Sequence, residues 1–403
     1  MKILHTADWH AGRVLHGQPR TGEIREVLRE IAELARSEAV DLVLVAGDLY
    51  DTRNPGAEAE AAVYEFFKTL GDAGIPSVVI AGNHDAPGRL EAASGLLGLA
   101  GVRVVGEPKV AQQGGLLTLN VGGETARVAA LPFVSERRIV KVHELLGGDP
   151  GAWREGYREG MRRLINNLTA TFKADAVNLL MLHTTTDGAR LAHSEYEFHC
   201  TETYTLDADL FPQACNYVAL GHIHMPQRVK GLPENGGRYA GSILQLDFGE
   251  QGDAKHVYIV EARAGRPTEI VKEHAIQSGK RLKRVGLARE DLDRKLSELE
   301  FDGWLKLSIK LERPDPGLKD RLKRDYPNLL VVEQLLPERE GAEKRGVDGR
   351  TLSLVDAYAQ FYTDERAAAL PDDLRGAFNA LYEGAQPLAD ETGFGETAFS
   401  ETA

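Results

Sequence analysis

Short apolar runs recur along the first half of the chain, and each is followed by side chains that can bind a metal ion. Three of the runs cover residues 41–46, 77–81 and 177–182. Short apolar runs bounded by turn residues are typical of buried β-strands, and open α/β sheets gather their chemistry at the carboxyl ends of the strands. The sequence therefore predicts an α/β fold whose strand ends converge on one polar site. The side chains that follow the runs are Asp8, His10, Asp48, Asn83, His84, His183, His222 and His224.

These side chains supply three kinds of ligand, namely carboxylate, carboxamide and imidazole. The mixture suits Mn²⁺, Fe²⁺ or Zn²⁺, and a shared carboxylate can bridge two such ions. Each motif alone also has a simpler explanation, because Gly47-Asp48 fits a polar turn and a single histidine can be held by an ordinary hydrogen bond. The order of the motifs, and their common place after apolar runs, favour a centre with two divalent cations.

At these residues the chain resembles the calcineurin-like metallophosphoesterase superfamily, whose motifs are D-x-H, G-D, G-N-H-[DE], H and G-H-x-H. The resemblance covers residues 1–260. It implies a sandwich of two mixed sheets flanked by helices, and the hydrolysis of a phosphate ester. The ligands themselves leave open whether that ester is a monoester or a diester.

The resemblance also implies a role for each residue of the motifs. One cation would be held by Asp8, His10 and His224. The other would be held by Asn83, His183 and His222. Asp48 would bridge the two cations. His84 would donate a proton to the leaving group, and Asp85 would hydrogen-bond His84 and fix its tautomer.

A closer resemblance is to the SbcD type of nuclease subunit, and residues 1–10, 47–55, 81–85 and 220–225 carry it. Serine/threonine phosphatases of the superfamily have GDxxDRG instead, whereas Thr52 here separates Asp51 from Arg53. The resemblance implies a Mn²⁺-dependent DNA endo- and exonuclease that acts on double-stranded ends and hairpins in repair and recombination. It also implies a homodimer and an SMC-like ATPase partner of the SbcC type. The alternative is a metallophosphodiesterase that acts on small nucleotides or phospholipids.

The chain has 403 residues, 42% of them hydrophobic, which is enough for more than one domain. We expect a nuclease domain at residues 1–275 and a small α+β capping domain that positions DNA at residues 276–337. A charged, glycine-containing linker at 338–351 precedes a helix-loop-helix at 352–384. Residues 385–403 contain no Lys or Arg and few large apolar side chains, which predicts a disordered tail.

Apolar spacing predicts helices near residues 22–37, 57–72 and 153–172. We assign strands at 102–105, 116–121 and 126–131 to a second sheet, closed by strands at 238–246 and 256–260. In the capping domain, strands at 282–287, 304–311 and 329–332 alternate with helices at 291–299 and 316–324. The middle strand places Trp304, Lys306, Ser308 and Lys310 on one face, which predicts a half-exposed sheet with a basic outer side. A purely structural lid is the alternative.

A net charge of −13 is unexpected for a protein that binds DNA, because such proteins usually present basic patches. Basic residues are nevertheless clustered at 280–284 and at 319–324. We expect DNA contacts from the first cluster and from residues that follow ligand-bearing strands, although a solvated surface or turn would also explain them. These candidates are His16, Arg53, Asn54, Lys280, Arg281, Lys283 and Arg284.

Two amphipathic stretches in the C-terminal region have the spacing of helices, and Pro371 suits the start of the second. We expect both helices to dock on the coiled-coil base of the ATPase, whereas the alternative is that they pack back on the core. The residues proposed to bind the partner are Leu354, Tyr358, Phe361, Leu374, Phe378 and Leu381.

The sequence contains no long apolar run of the kind that spans a membrane, and it lacks a signal-peptide pattern. We therefore expect a cytoplasmic protein that associates with the nucleoid. Its two cysteines, Cys200 and Cys215, are expected to be free buried thiols, although the sequence also allows a disulfide between them.

Overall fold

In the computed structural model, which describes residues 1–135, 156–192 and 205–337 together with 358, 359, 362, 370, 371 and 374–376, the apolar runs form strands of two six-stranded mixed sheets. The strands of the first sheet are β1 (Lys2–Thr6), β4 (Leu42–Ala46), β5 (Ser77–Ile80), β6 (Val102–Val105), β15 (His256–Glu261) and β16 (Glu269–Ala275). Their order is β16-β15-β1-β4-β5-β6. The pairs from β1 to β6 are parallel, and β15 is antiparallel to both of its neighbours.

The strands of the second sheet are β7 (Leu116–Val121), β8 (Glu124–Leu131), β9 (Val177–His183), β12 (Tyr217–Gly221), β13 (Gln227–Arg228) and β14 (Gly237–Tyr239). Their order is β13-β14-β12-β9-β8-β7, and the four central strands are parallel. Two short pairs complete the core. These are β2 (Val14–Leu15) with β3 (Gln18–Pro19), and β10 (Thr185–Thr186) with β11 (Thr205–Leu206).

The two sheets pack face to face, and helices cover their outer faces. Alternation along β1 and β4 places Ile3 and Leu44 in the apolar layer between the sheets, whereas Leu4 and Val43 face the helices. The first sheet is covered by α1 (Thr21–Ser37), α2 (Ala57–Asp72) and α3 (Pro87–Leu99), and the second by α4 (Gly156–Thr169). This confirms the predicted sandwich of two mixed sheets flanked by helices.

Two strands belong to a different sheet from the one that we predicted. Strand β6 pairs with β5, and β15 pairs with β1, so both lie in the first sheet. Alternating apolar residues show which side chains are buried, but they do not identify the neighbouring strand. We also did not predict α3, because Gly88, Gly95 and Gly98 lower its helix propensity.

Residues 282–335 form a third, three-stranded sheet with two helices. Its strands are β17 (Leu282–Ala288), β18 (Trp304–Lys310) and β19 (Leu329–Leu335), and its helices are α5 (Leu292–Ser297) and α6 (Leu318–Asp325). Strands and helices alternate in the predicted order, and because all three strands are parallel the unit consists of βαβ connections, for which α/β is the more accurate description than α+β. On the outer side, Lys306 Nζ lies 2.7 Å from Glu333 Oε1, so this face is less basic than predicted.

An ion pair between a buried arginine and a half-buried glutamate attaches this third sheet to the core. Arg20 is fully buried, and its guanidinium donates to the Glu23 carboxylate at 3.0 and 2.7 Å. Glu23 also accepts hydrogen bonds from Lys280 N at 2.8 Å and from Trp304 Nε1 at 2.9 Å. A small apolar cluster lies beside the ion pair, formed by Leu15, Phe248, Leu282, Trp304 and Leu330.

Residues 1–337 form one compact unit, and residues 338–403 form another. Of the residues proposed to bind the ATPase, Tyr358 and Leu374 are helical, whereas Leu354, Phe361, Phe378 and Leu381 lie outside the described residues. Cys215 is a free thiol, and Cys200 also lies outside the described residues. Within the described part of the chain, no helix is long and apolar enough to cross a membrane.

Candidate metal centre

The polar side chains meet where the strands of both sheets end, and several of them have an unusual backbone conformation. Asp8, His10, Asp48 and His222 have φ values of 51°, 47°, 51° and 96°. A non-glycine residue in this left-handed region costs about 1–3 kcal/mol, so the surrounding structure must hold it there. The N–H of Asp8 donates to Gly47 O at 3.0 Å, and the N–H of His10 donates to Asp48 O at 3.1 Å. Strain of this kind gathers at functional sites.

Asp8, His10 and His224 form a buried cluster, which we name the first cation position. One ligand atom from each residue lies within 4.8 Å of the others. The Nε2 atoms of His10 and His224 are 3.2 Å apart, so both imidazoles aim at one point. Asp8 Oδ1 accepts a hydrogen bond from His222 N at 2.9 Å, which fixes the carboxylate. This donor set fits a divalent cation.

Asn83, His183 and His222 form a second cluster, which we name the second cation position. Asn83 Oδ1 lies 2.9 Å from both His183 Nε2 and His222 Nδ1. His183 Nδ1 lies 2.8 Å from Ala46 O, and a carbonyl can only accept, so Nδ1 carries a hydrogen. The His183 Nε2 lone pair would then face the Asn83 oxygen unless a proton or a cation lies between them. The arrangement therefore fits a cation as well.

Asp48 lies between the two positions. Its Oδ2 is 3.4 Å from His183 Nε2 and 3.7 Å from His10 Nε2. Its other oxygen, Oδ1, accepts a hydrogen bond from His84 N at 2.9 Å. The structure thus brings together all seven side chains that we expected to hold cations, with Asp48 beside histidines of both clusters.

Burial and mutual charge shift the pKa values of these groups in opposite directions. Burial raises the pKa of Asp8 to about 7, against the opposing effect of His183 and His224. Burial would also raise the pKa of Asp48, but the charge of His183 and its neighbours holds it well below its usual range. Burial would lower the pKa of His183, yet Asp48 raises it to about 9. Strongly shifted groups of this kind mark a functional site.

The residue expected to orient His84 is not the one that does so. Asp85 does not contact the His84 ring, because its carboxylate accepts hydrogen bonds from Gly82 N at 2.8 Å, Tyr50 N at 3.0 Å and Leu49 N at 3.2 Å. Asp85 therefore ties the loop after β5 to the loop after β4. His84 Nδ1 instead lies 2.9 Å from the carbonyl oxygen of Asp51.

Three residues beside the centre were not predicted from the sequence. Asp51 Oδ1 lies 3.3 Å from His10 Nδ1, and Glu250 Oε1 lies 3.7 Å from His224 Nδ1. Lys255 is fully buried with Glu250 and lies 2.6 Å from it. Burial would raise the pKa of Glu250, but His224 and Lys255 lower it to about 2. The position of Asp51 three residues after Asp48 was the available signal, whereas Glu250 and Lys255 lie in a loop without a recognised motif.

The residues expected to contact DNA differ in exposure and in the contacts that they make. His16 and Arg53 are exposed, whereas Asn54 Oδ1 accepts a hydrogen bond from Arg89 Nη1 at 3.0 Å. Lys280 Nζ and Lys283 Nζ lie over the rings of Trp304 and Phe301, at 4.7 and 5.3 Å from the ring centres. Arg281 Nη2 donates to Ile276 O at 2.8 Å, and Arg284 is exposed. Several members of the basic cluster therefore have structural contacts of their own.

Residues 1–226 match the family described as Calcineurin-like phosphoesterase. The chain belongs to this family of metal-dependent phosphoesterases, as its motifs and its two-sheet fold predicted.

Relatives of the chain include several proteins named as the SbcD component of the nuclease SbcCD. The one from Bacillus subtilis is 34% identical over 386 residues, which cover 93% of this chain and 95% of that protein. Those from Rhodobacter capsulatus and Escherichia coli are 33% and 31% identical, each over 66% of this chain. These similarities confirm the resemblance to the SbcD type that the motifs indicated.

Proposed function

We propose that this chain is the nuclease subunit of an SbcCD-type complex and hydrolyses phosphodiester bonds at double-stranded DNA ends and hairpins with two divalent cations. The convergence of seven buried or half-buried ligands at the strand ends carries this proposal. The choice of DNA as substrate is supported by the nuclease from Bacillus subtilis, because its similarity extends over 93% of the chain, beyond the phosphoesterase motifs.

The donor set limits which cations we propose. It mixes carboxylate and amide oxygens with imidazole nitrogens and includes no thiolate, and this combination suits Mn²⁺, Fe²⁺ or Zn²⁺. Of these we propose Mn²⁺, the ion implied by the resemblance to the SbcD type of nuclease. Asp8, His10 and His224 would hold one ion, Asn83, His183 and His222 the other, and Asp48 both. When bound, the two ions make water a better nucleophile and neutralise the phosphate oxygens.

His84 is the residue that we assign to proton transfer. It is half-buried, beside Asp48 and His10, and the ring centres of His84 and His10 are 4.8 Å apart. Because Asp51 O can only accept, the contact at 2.9 Å keeps a hydrogen on His84 Nδ1. When the ring carries a second proton, on Nε2, this nitrogen would give it to the leaving oxygen and the ring would return to the neutral form with its hydrogen on Nδ1, which is a common role of histidine.

DNA would approach the centre between the loop after β4 and the β2–β3 hairpin. Arg53 is exposed on that loop, and His16 is exposed at the tip of the hairpin, where its ring lies 5.8 Å from that of Phe248. We propose that both contact phosphates, which position the duplex without reading its sequence. Residues 276–337 would form the other wall of this path, with Lys283 and Arg284 as further phosphate contacts.

Helix α3 offers a surface for the proposed homodimer. Leu96 and Leu99, three residues apart on this helix, are 76% and 86% exposed. We propose that this surface pairs with the same surface of a second copy, since a two-fold interface is self-complementary. Analytical ultracentrifugation should show a dimer for the native chain and a monomer for the Leu96→Glu/Leu99→Glu variant. A native monomer, or a dimer that persists in the variant, would exclude this interface.

The decisive experiment is digestion of blunt duplex and hairpin DNA by the purified chain with Mn²⁺ and with Mg²⁺, each with and without the ATPase partner. We expect cleavage with Mn²⁺ and stimulation by the partner with ATP. Asp48→Ala is the control for contaminating nucleases, because it should be inactive. Cyclic nucleotides and phospholipid headgroup diesters are digested in parallel. Turnover of these small diesters without cleavage of DNA would contradict the proposal and favour a small-molecule phosphodiesterase.

A further inference from the structure

The two cation positions differ in what lies behind their imidazoles. At the first position, carboxylates face the ring nitrogens that point away from the cation. Asp51 Oδ1 lies 3.3 Å from His10 Nδ1, and Glu250 Oε1 lies 3.7 Å from His224 Nδ1. At the second position, His183 Nδ1 lies 2.8 Å from the neutral carbonyl oxygen of Ala46. The carboxylate that lies 3.9 Å from the same nitrogen, Asp8 Oδ1, belongs to a proposed ligand of the first position.

Glu250 is held rigidly in this place. It is fully buried, and its Oε2 lies 2.6 Å from Lys255 Nζ and accepts a hydrogen bond from Leu246 N at 3.2 Å. Lys255 Nζ in turn donates to the carbonyl oxygen of His224 at 2.9 Å. The ion pair therefore contacts His224 at its ring and at its backbone, and a displacement of either partner would move this histidine.

Asp51 is held from the other side of the centre. Its Oδ1 also accepts a hydrogen bond from Arg13 Nη1 at 3.2 Å, and its backbone carbonyl faces His84. A carboxylate behind an imidazole keeps the hydrogen on the near nitrogen, directs the opposite lone pair at the cation and adds negative charge nearby. At separations of 3.3 and 3.7 Å the effect is mainly electrostatic, because these distances exceed that of a normal hydrogen bond.

We propose that Asp51 and the buried Glu250–Lys255 pair are positioning residues that make the Asp8–His10–His224 position the tighter of the two cation positions. The inference rests on the proposed function, since it presupposes that the centre binds two cations. It adds an order of occupancy, in which the first position fills at lower concentration and the second position exchanges more readily. The ligand sets favour the same order, because the first position contains the carboxylate of Asp8 where the second contains the neutral amide of Asn83.

The test is calorimetric titration of the full metal-free chain with Mn²⁺, which measures binding without any turnover. The native chain should bind two ions with different affinities. Glu250→Gln and Asp51→Asn should each weaken the tighter event by about 10- to 100-fold, the usual effect of losing such a partner, and leave the weaker event unchanged. The matched control is Glu91→Gln, because Glu91 is also paired with a lysine, Lys109 at 2.7 Å, and accepts from Gly106 N.

Two variants, each with one cation position removed, show which Mn²⁺-binding step belongs to which position. In Asn83→Ala only the first position remains, and adding Glu250→Gln should weaken its binding. In Asp8→Ala only the second remains, and the same addition should leave it unchanged. Should Glu250→Gln fail to fold with an unpaired buried lysine, the double variant Glu250→Gln/Lys255→Met removes both charges and should show the same loss of affinity.

The outcomes separate the inference from the function on which it rests. If the native chain binds no Mn²⁺, both fail. Suppose that the native chain binds two ions and cleaves DNA. If Glu250→Gln then leaves the affinity of the tighter binding step unchanged, or lowers the affinity of the other step, the order of occupancy is wrong and the proposed function stands. The inference is supported if Glu250→Gln weakens Mn²⁺ binding when it is added to Asn83→Ala but not when it is added to Asp8→Ala.

Discussion

At the scale of single residues, Asp48 is the side chain on which the proposed centre depends most. It lies between both cation positions and also accepts the hydrogen bond from His84 N. We expect Asp48→Ala to lose both cations and all hydrolysis, because the change removes the only carboxylate that we propose to bind both ions. Metal content after dialysis and cleavage of a duplex measure this directly. A variant that retains two ions and near-normal activity would remove Asp48 from the bridging role.

His84 should behave differently from the ligands. We expect His84→Ala to keep both cations and to bind DNA, but to hydrolyse it more slowly by about 10²–10⁴-fold, since only proton transfer to the leaving group is lost. The control is His256→Ala, a half-buried histidine on β15. Metal content, DNA affinity and single-turnover rates separate the two roles. Reduced metal content in His84→Ala would mean that His84 is itself a ligand.

His5 should make the stability of the fold depend on pH. The ring is fully buried, with Nδ1 3.0 Å from Tyr217 Oη, and burial lowers its pKa to about 3. Below about pH 6.5 the unfolded chain takes up a proton on His5, whereas the folded chain does not. The contribution of neutral His5 to the free energy of unfolding is therefore fully present above that pH and is lost as the pH falls toward 3. Between pH 7 and pH 5 the protonation of His5 in the unfolded chain should lower the free energy of unfolding by about 2 kcal/mol.

The comparison with His5→Asn isolates this effect, because asparagine does not titrate and can still bond Tyr217. Urea unfolding at pH 7 and pH 5 should show a smaller decrease in the free energy of unfolding for the variant than for the native chain. Equal decreases in both proteins would assign the acid sensitivity to other buried groups.

At the scale of elements, the sequence predicted most of what local patterns can encode. Each ligand-bearing strand was identifiable because an apolar run ends at a polar residue, and α1 and α2 were identifiable from their spacing. The sheet to which β6 and β15 belong was not, because strand pairing is a property of distant segments. The error at Asp85 has a similar origin. Adjacency in sequence suggested contact with His84, whereas a strand end directs consecutive side chains in different directions.

The close approach of β12 and β4 gives a prediction at this scale. A Cβ atom on Gly221 would overlap the carbonyl oxygen of Ala46, the same oxygen that faces His183 Nδ1. We expect Gly221→Ala to destabilise the fold by about 1–3 kcal/mol, as overpacking does, and also to weaken Mn²⁺ binding. Gly286→Ala on β17 is the matched control, because a Cβ there meets no atom within 4 Å. Equal stability and Mn²⁺ affinity in the two variants would contradict the proposed strand contact.

At the scale of the whole molecule, a net charge of −13 has to be reconciled with a DNA substrate. Part of the negative charge belongs to Asp8 and Asp48, which bound cations would neutralise locally. Four further acidic residues belong to residues 385–403, which contain no Lys or Arg and are distant in sequence from the residues proposed to contact DNA. Net charge alone therefore does not exclude a nucleic-acid substrate, because binding depends on the local field at the site.

The last prediction concerns the division of the chain after Pro337. We propose that residues 352–384 bind the coiled-coil base of the ATPase and that the unit formed by residues 1–337 contains the nuclease. A chain ending at Gly349 should remain folded, keep its metal ions and cleave short duplexes with Mn²⁺. It should lose association with the ATPase and any stimulation by ATP. Circular dichroism, metal analysis, cleavage assays and co-purification measure these properties separately.

Single substitutions refine this prediction. Phe361→Asp or Phe378→Asp should each weaken binding to the ATPase by at least about 2 kcal/mol, because a few buried aromatic anchors supply most of the energy of such interfaces. Phe394→Asp, the same change in the C-terminal tail, is the matched control and should bind normally. If the truncated chain unfolds, the C-terminal segment is part of the nuclease core. If it remains folded and still co-purifies with the ATPase, the partner binds another surface.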